Sequence, residues 1–407
     1  MLTSTETRVA EAKNQAGGAR VLHISADFPD PLQPGKTKAI ANLIDLTSDV
    51  FDHHVYSINR VDHRLDIAAL PFGPDWRAVA YPGPPRGLFL KTYLDRLAAW
   101  IVRDVRERGL SVDVVHAHKL STDGLAGAAV AKALGVPLAV SSQGNSDLKI
   151  LGVRRDLRGT WRTLWQHAAV VFPFAPWTAQ GLEAHLGPRE GPTCLLPCPT
   201  DQDRMMTPAP TAPVFRTAFH LRDYRNKNAL GLIQAVALAA REIPDIRLEI
   251  LGGGDPSAFA TLRAAIARHA PRHCRLVGPV PHARIQEAMN ASCGFVMVSF
   301  RESYGMVYAE SLLAGTPVIH GSTNGFAGYF PDSPVAVGVP PGDVDALAAA
   351  LVDGIRRQDG IKATLRDMQE AGALTRLTRA AIRDTYVTAL RSAVLADHQR
   401  TSAGPGP

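Results

Sequence analysis

At 407 residues the chain is too long for one ordinary core, so two domains are the expectation. Apolar residues make up 46% and charged residues 20%, a balance that excludes a disordered chain, and no run approaches the roughly 18 apolar residues of a membrane span. The formal charge of +6 is compatible with anionic partners, but nothing clusters it into a nucleic-acid motif and aromatic residues are only 6%.

Residues 1–19 are polar and lack the apolar middle of a signal peptide, so they read as a flexible tail and the protein is placed in the cytoplasm. The four cysteines, 194, 198, 274 and 293, contain no C-x-x-C pair and read as buried free thiols.

From Arg20 onward, apolar runs of strand length alternate with amphipathic stretches. Strands are expected at Arg20–Ala26, His53–Asn59, Asp113–His116, Pro137–Ser141, Ala168–Phe172 and Thr193–Leu196. Helices are expected around Thr37–Thr47, over Gly87–Arg108 with Leu90, Leu94, Leu97 and Ile101 on one face, and over Thr122–Leu134. Residues 60–90 show no motif. The segment Pro197–Pro213 is rich in proline and reads as a linker.

The pattern then restarts. Strands are expected at Val214–Phe219, Ile246–Leu251, Arg275–Val277, Gly294–Ser299 and Pro317–His320. Helices are expected at Asn228–Arg241, Met306–Ala314, Val344–Arg356 and through most of Ala363–Leu395, with Gly404–Pro407 a tail. Two such series predict an α/β protein of two Rossmann-like doubly wound domains, residues 20–205 and 206–385, with 386–407 a helix end and tail. Ligands are then expected at the carboxyl ends of the strands, in a cleft between the domains.

The most informative stretch runs from Phe300 to Glu310. Glu302 is placed on a strand-to-helix loop, and Gly305 lets the backbone approach a ligand. Free amides at Gly305, Met306 and Val307 open the next helix and suit a diphosphate, with Tyr304 beside them. Glu310 lies one turn past Met306, so two carboxylates flank the anion site. A solvated loop residue and a helix surface charge are the plain alternatives for the two glutamates.

The setting Glu302-Ser-Tyr-Gly…Glu310-Ser-Leu-Leu-Ala-Gly-Thr-Pro-Val resembles the signature of the retaining glycosyltransferases of family 4, which have the GT-B fold. The resemblance extends through the whole second half. It implies that Glu302 contacts the transferred sugar, that Glu310 contacts the nucleotide ribose, and that the amides near Gly305–Val307 meet the diphosphate.

The loop Leu221–Asn228 carries three cations, Arg222, Arg225 and Lys227. Cations fixed there would stabilise charge that builds on a departing diphosphate. The family places an Arg and a Lys five residues apart, which fits Arg222 and Lys227. Another register aligns His220 with the arginine and makes Arg225 the second cation. The pair Arg222 and Lys227 is preferred, because Lys227-Asn228 opens a helix. Gly252–Gly254 reads as a tight turn, and Gly278, in Val277-Gly278-Pro279, resembles the loop near the nucleotide base.

The first half matches less closely. His116 and His118 share one strand face. Two histidines make a poor metal site, so both read as core or cleft-lining residues and no metal ligand is assigned. Gln143-Gly144 stands where many members have His-Gly, and Asn145 follows. His118, Gln143 and Asn145 are therefore cleft or acceptor candidates. Gly35-Lys36 resembles the glycine loop that lies near the donor phosphates, but lacks the spaced glycines of a Walker loop.

The resemblance implies a glycosyltransferase that uses a UDP- or GDP-sugar and needs no cofactor or metal. Its acceptor would be a glycan, a lipid-linked molecule or a small molecule, in glycan or polysaccharide biosynthesis. No carboxylate base stands out in the first domain, which agrees with a leaving phosphate that helps take the acceptor proton. The basic and aromatic residues of Gly87–Arg108 leave open contact with the inner membrane face. A non-catalytic sugar-nucleotide-binding subunit, or an epimerase or hydrolase, is the alternative.

Overall fold

A computed structural model describes residues 18–62, 66–84 and 87–402. Of the tails expected at residues 1–19 and 404–407, all but residues 18 and 19 lie outside the described residues. The chain divides into two compact units, one of residues 1–173, 181–196 and 383–407, the other of 174–180 and 197–382.

The first unit is built on strands β1 (Arg20–Ser25), β2 (Asp52–Val61), β3 (Ala68–Phe72), β4 (Trp76–Pro82), β5 (Val114–Ala117), β6 (Leu138–Ser142) and β7 (Val170–Pro173). They form one sheet in the order β3-β4-β2-β1-β5-β6-β7. All pairs are parallel except β3 with β4. The central strands are buried on both faces, which is why they read as continuous apolar runs.

The hairpin β3–β4 was not foreseen in residues 60–90. Its outer strand AALPF is apolar but only partly buried, at the edge of the sheet, and its proline argues against a strand in the sequence. Gly73 turns it with φ +56°, and a Cβ there would lie 2.6 Å from the Trp76 ring.

Thr193–Leu196 is not a strand. It makes one isolated bridge to Val171, with Cys194 N donating to Val171 O at 2.9 Å. Pro192 and Pro197 flank it and have no amide with which to extend a ladder.

The helix expected from Gly87 begins at Leu90. Gly87 and Phe89 have φ of +70° and +53°, which a right-handed helix cannot include. Leu90, Leu94, Leu97 and Ile101 are buried as their spacing demands. Trp161 and Trp165 are fully buried, and their indoles donate to Ser121 O at 2.9 Å and Gly187 O at 3.0 Å. The last helix, Arg379–Ser402, packs its Tyr386 ring 5.5 Å from both His116 and Phe172.

The second unit has six parallel strands, β8 (Val214–Ala218), β9 (Arg247–Leu251), β10 (Cys274–Gly278), β11 (Gly294–Met297), β12 (Val318–Gly321) and β13 (Ala336–Val339). Their order is β10-β9-β8-β11-β12-β13. The segment read as a linker is instead bound into this unit. Met206 N donates to Leu313 O at 2.8 Å, Gln369 donates to Met206 O at 3.0 Å, and Arg366 donates to Pro208 O at 2.9 Å. A stretch so poor in amides offers carbonyls, and the helix Gln358–Glu370 supplies the donors.

Residues 174–180 also belong here. The Tyr329 hydroxyl donates to Phe174 O at 2.5 Å, and the Trp177 indole donates to Gly325 O at 3.0 Å. The helical end is two helices, because Gly372 turns left-handed at φ +73° between them. All four cysteines are free; three are buried and Cys194 is half-buried.

Candidate functional site

The strand order of the second unit reverses at β8, whose neighbours are β9 and β11. The loops that leave the carboxyl ends of β8 and β11 therefore lie side by side, where open α/β sheets bind ligands. Here they are stitched together. Phe300 N donates to Asn226 O at 2.9 Å, and Asn226 Nδ2 donates to Arg301 O at 2.9 Å. Next to these bonds, Lys227 Nζ lies 2.5 Å from Glu302 Oε2, with both side chains about four-fifths buried (18% and 16% exposed). Two residues separated by 75 positions thus form one ion pair at the switch point.

Three residues past Glu302, Gly305 takes φ +78° and starts the helix Met306–Leu313. A Cβ on Gly305 would lie 2.4 Å from the Tyr308 ring. The Tyr308 amide turns back to Gly305 O at 3.0 Å. The amides of Met306 and Val307 have no carbonyl within the helix, so this end presents donors and the positive pole of the helix. Glu302 is clamped from behind, since Gly325 N donates to Glu302 O at 3.0 Å.

Glu310 is buried and accepts from the Thr200 hydroxyl at 2.5 Å. Burial raises its pKa, opposed by the Thr200 bond and by nearby His282. Tyr304 is placed differently from its expected role at the anion site. Its ring is buried 5.9 Å from Phe326 and 5.6 Å from Tyr329, and its hydroxyl has no hydrogen-bond partner among the described residues.

The cations of the β8 loop separate into distinct environments. Arg225 donates to its neighbour's Tyr224 hydroxyl at 3.0 Å and stacks on that ring at 5.5 Å. Arg222 is two-thirds exposed, 3.7 Å from Asp223. The His220 ring accepts from Arg222 N at 3.4 Å and lies against Gly254, where a Cβ would come within 2.3 Å of it. The glycine run is thus required by a close approach, because a Cβ on Gly252 would also meet Phe219 O at 1.9 Å. Gly278 ends β10 with φ +91°, and its carbonyl accepts from Gly252 N at 2.9 Å.

The first unit holds the remaining candidates. Gly35 lies in an exposed turn, and a Cβ added there would meet nothing within 4 Å, so the space around it does not demand glycine. Lys36 folds back onto Asp30 at 2.9 Å. His118 is buried, and Gln143 Nε2 donates to His118 O at 3.2 Å. Asn145 opens the helix Asn145–Val153. Asp147 in its first turn accepts from Ser121 Oγ at 2.6 Å and Ser142 Oγ at 2.7 Å, joining the loops after β5 and β6.

Sequence reasoning missed Thr200, Asn226 and Gly325. None has a local signal, since each matters through a partner 75 or more positions away or through a backbone bond.

Two family models match the chain. The model described as glycosyl transferases group 1 matches residues 216–373, and the glycosyl transferase 4-like domain matches residues 51–199. Among curated proteins, a phosphatidyl-myo-inositol mannosyltransferase of Mycobacterium tuberculosis is 32% identical over 134 residues, 33% of this chain and 34% of that protein. A D-inositol 3-phosphate glycosyltransferase of Jonesia denitrificans is 35% identical over 100 residues, 23% of this chain and 24% of that one. The matches thus span about a third or less of these relatives' length. Among solved structures, Anabaena HepE in complex with UDP superposes with a TM-score of 0.66 at 17% identity, covering 92% of this chain and all (100%) of that one. A sucrose-phosphate synthase from Thermosynechococcus elongatus gives 0.61 at 19% identity, covering 95% and 100%.

Proposed function

We propose, for a chain that belongs to the family-4 glycosyltransferases with the GT-B fold, that the second unit holds a nucleoside diphosphate sugar and that the protein transfers the sugar to an acceptor hydroxyl. The observation that carries this reading is the Lys227–Glu302 pair at 2.5 Å beside the amino end of the helix Met306–Leu313.

The chemistry follows from charge. When the sugar–phosphate bond breaks, negative charge grows on the leaving diphosphate. Lys227 and the amides of Met306 and Val307 meet that charge without having to reorganise. Glu302 keeps the ammonium in place until the donor arrives and then takes hydroxyls of the transferred sugar. Glu310, held by Thr200, takes the ribose. Arg222 is free to swing towards the phosphates, whereas Arg225 is committed to Tyr224. The leaving phosphate accepts the proton of the attacking hydroxyl, and configuration at the anomeric carbon is retained, as in the family.

The donor is a UDP- or GDP-sugar. HepE has been solved with UDP-glucose, and two of the solved neighbours are named trehalose-phosphate synthases. For this protein, a polyhydroxylated acceptor in glycan biosynthesis, small or lipid-linked, is the proposal.

No helix among the described residues is long and apolar enough to cross a membrane. Peripheral contact is supported by an exposed apolar tip of Leu88, Phe89 and Val153, which are 60%, 70% and 73% exposed. Arg154, next to Val153, donates to Gly87 O and joins the two segments. Side chains of this kind enter a bilayer interface. Leu88→Ser with Phe89→Ser should abolish co-sedimentation with anionic vesicles if the tip is the contact.

A panel of nucleotide sugars, with released nucleoside diphosphate read by mass spectrometry, tests the main proposal. One donor should be consumed by the wild type and spared by Lys227→Met. Donor binding by calorimetry without release under any acceptor would instead favour a non-catalytic binding subunit, and release that needs no acceptor would favour a hydrolase.

A further inference from the structure

Four histidines that the proposed transfer does not use converge in the core of the first unit. His23 on β1 and His116 on β5 are register partners, His118 follows β5, and His53 lies on β2. His23, His116 and His118 are fully buried, and one ring nitrogen from each lies within 4.8 Å of one from each of the others. Rings so buried, with only neutral groups at their nitrogens, are neutral imidazoles and each carries a lone pair.

The hydrogen bonds assign the tautomers. The Thr47 hydroxyl donates to Leu43 O at 2.8 Å, so its oxygen accepts from His53 Nε2 at 3.2 Å. His53 Nδ1 then accepts from His23 Nε2 at 2.8 Å, and His23 Nδ1 accepts from His118 Nε2 at 2.8 Å. The series ends on His118 Nδ1, a buried acceptor with no hydrogen-bond partner among the described residues. Burying this nitrogen without a partner is unfavourable, so the hydrogen-bonded series leaves the cluster incompletely satisfied, and Nδ1 is free to take the proton that now sits on Nε2.

We infer that His23, His116 and His118 form a binding site for one divalent transition ion of the imidazole-preferring class, zinc foremost, which ties β1 to β5. Three neutral imidazoles are a ligand set that zinc and its neighbours accept, with a fourth position left for a small ligand. His23 Nδ1 already presents its lone pair. His118 presents Nε2 once its proton moves to the partnerless Nδ1, a tautomer change that conserves charge and releases no proton. The two nitrogens then part from 2.8 Å to the roughly 3.3 Å that a tetrahedral ion with bonds of about 2.0–2.1 Å requires.

The surroundings suit such an ion. His23 keeps its other nitrogen on His53. His116 has hydroxyls at both nitrogens, Tyr386 and Ser141, each at 2.8 Å, so whichever nitrogen turns to the ion the other stays oriented. The site is closed, so the ion enters as the unit folds, and its role is structural.

The full-length protein, produced in zinc-supplemented medium and purified without chelator, should retain one zinc per chain. Refolding the stripped protein with cobalt should give a visible spectrum of tetrahedral type, and either ion should raise the melting temperature. His118→Gln and His116→Gln should each weaken cobalt binding more than about tenfold, whereas His167→Gln, an exposed histidine outside the cluster, should leave it unchanged. X-ray absorption on the wild type, which needs no variant to fold, should report three imidazole nitrogens. A folded wild type that retains no zinc and binds no cobalt at micromolar concentration overturns the proposal. So does binding that survives intact in a folded His116→Gln/His118→Gln protein, or an absorption spectrum with fewer than two imidazoles.

Discussion

Thr200 donates its hydroxyl to Glu310 Oε1 at 2.5 Å across 110 positions of sequence, so the carboxylate proposed to meet the ribose is oriented before any donor binds. Burial raises the pKa of that carboxyl above its ordinary value of 4.5. The native state therefore binds more protons than the unfolded chain just above that value, and stability falls as pH rises through the folded pKa. Glu310→Gln removes this cost. It should melt higher than wild type at neutral pH, lose that advantage in acid below about pH 4, and bind the donor less well. Thr200→Val leaves the carboxylate unoriented and should weaken donor binding by about tenfold, as calorimetry would read.

The Lys227–Glu302 pair has different consequences on its two sides. Lys227→Met removes the cation that meets the leaving diphosphate and should lower kcat by roughly 100-fold or more. Glu302→Gln keeps the shape and should lower turnover while retaining nucleoside diphosphate binding. Loss of both activities together with the fold, checked by circular dichroism, would instead mark the pair as structural.

Arg222 and Arg225 separate by what they already hold. Arg225 is bonded to and stacked on Tyr224, while Arg222 stands largely in solvent. Arg222→Ala should therefore cut kcat/KM about tenfold or more, and Arg225→Ala should have a smaller effect. The reverse order would assign the phosphate contact to Arg225.

Gly305 has no room for a side chain. Its φ of +78° and the 2.4 Å approach of a Cβ to the Tyr308 ring both oppose substitution. Gly305→Ala should destabilise the second unit by about 1–3 kcal/mol in urea unfolding and displace the Met306 amide.

Lys362 is buried, donating to Ser292 O at 2.9 Å and to Ala209 O, and its pKa is pushed down to about 8 from 10.5, chiefly by burial. Between those values the unfolded chain holds the extra proton, so this lysine makes stability rise with pH across the window. Lys362→Met should lack that slope. Its deficit against wild type should be about 1–3 kcal/mol near pH 10 and smaller near pH 7, because two carbonyls lose their donor.

Much of this protein is written locally. The parallel strands are legible because burial on both faces forces continuous apolar runs, and Glu302, Gly305 and Glu310 are legible because a strand-to-helix turn sets their spacing. The β3–β4 hairpin is not, since a partly buried edge strand with a proline satisfies no burial pattern. The proline-rich stretch misleads for a related reason: composition reports missing amides, and only the helix Gln358–Glu370 reveals that its carbonyls are taken.

The amino-acid order by itself determined the alternation of elements, the two αβ series and the helix amino end with its flanking acids, because these depend on neighbours within a few residues. Tertiary structure alone decided which groups meet: Lys227 with Glu302, Thr200 with Glu310, and His23 with His116 and His118. Each is a contact between loops or strands far apart in the chain. Parallel β-strands are never adjacent through a short turn, so the partners at their carboxyl ends and across their faces are set by strand order, which no local pattern encodes.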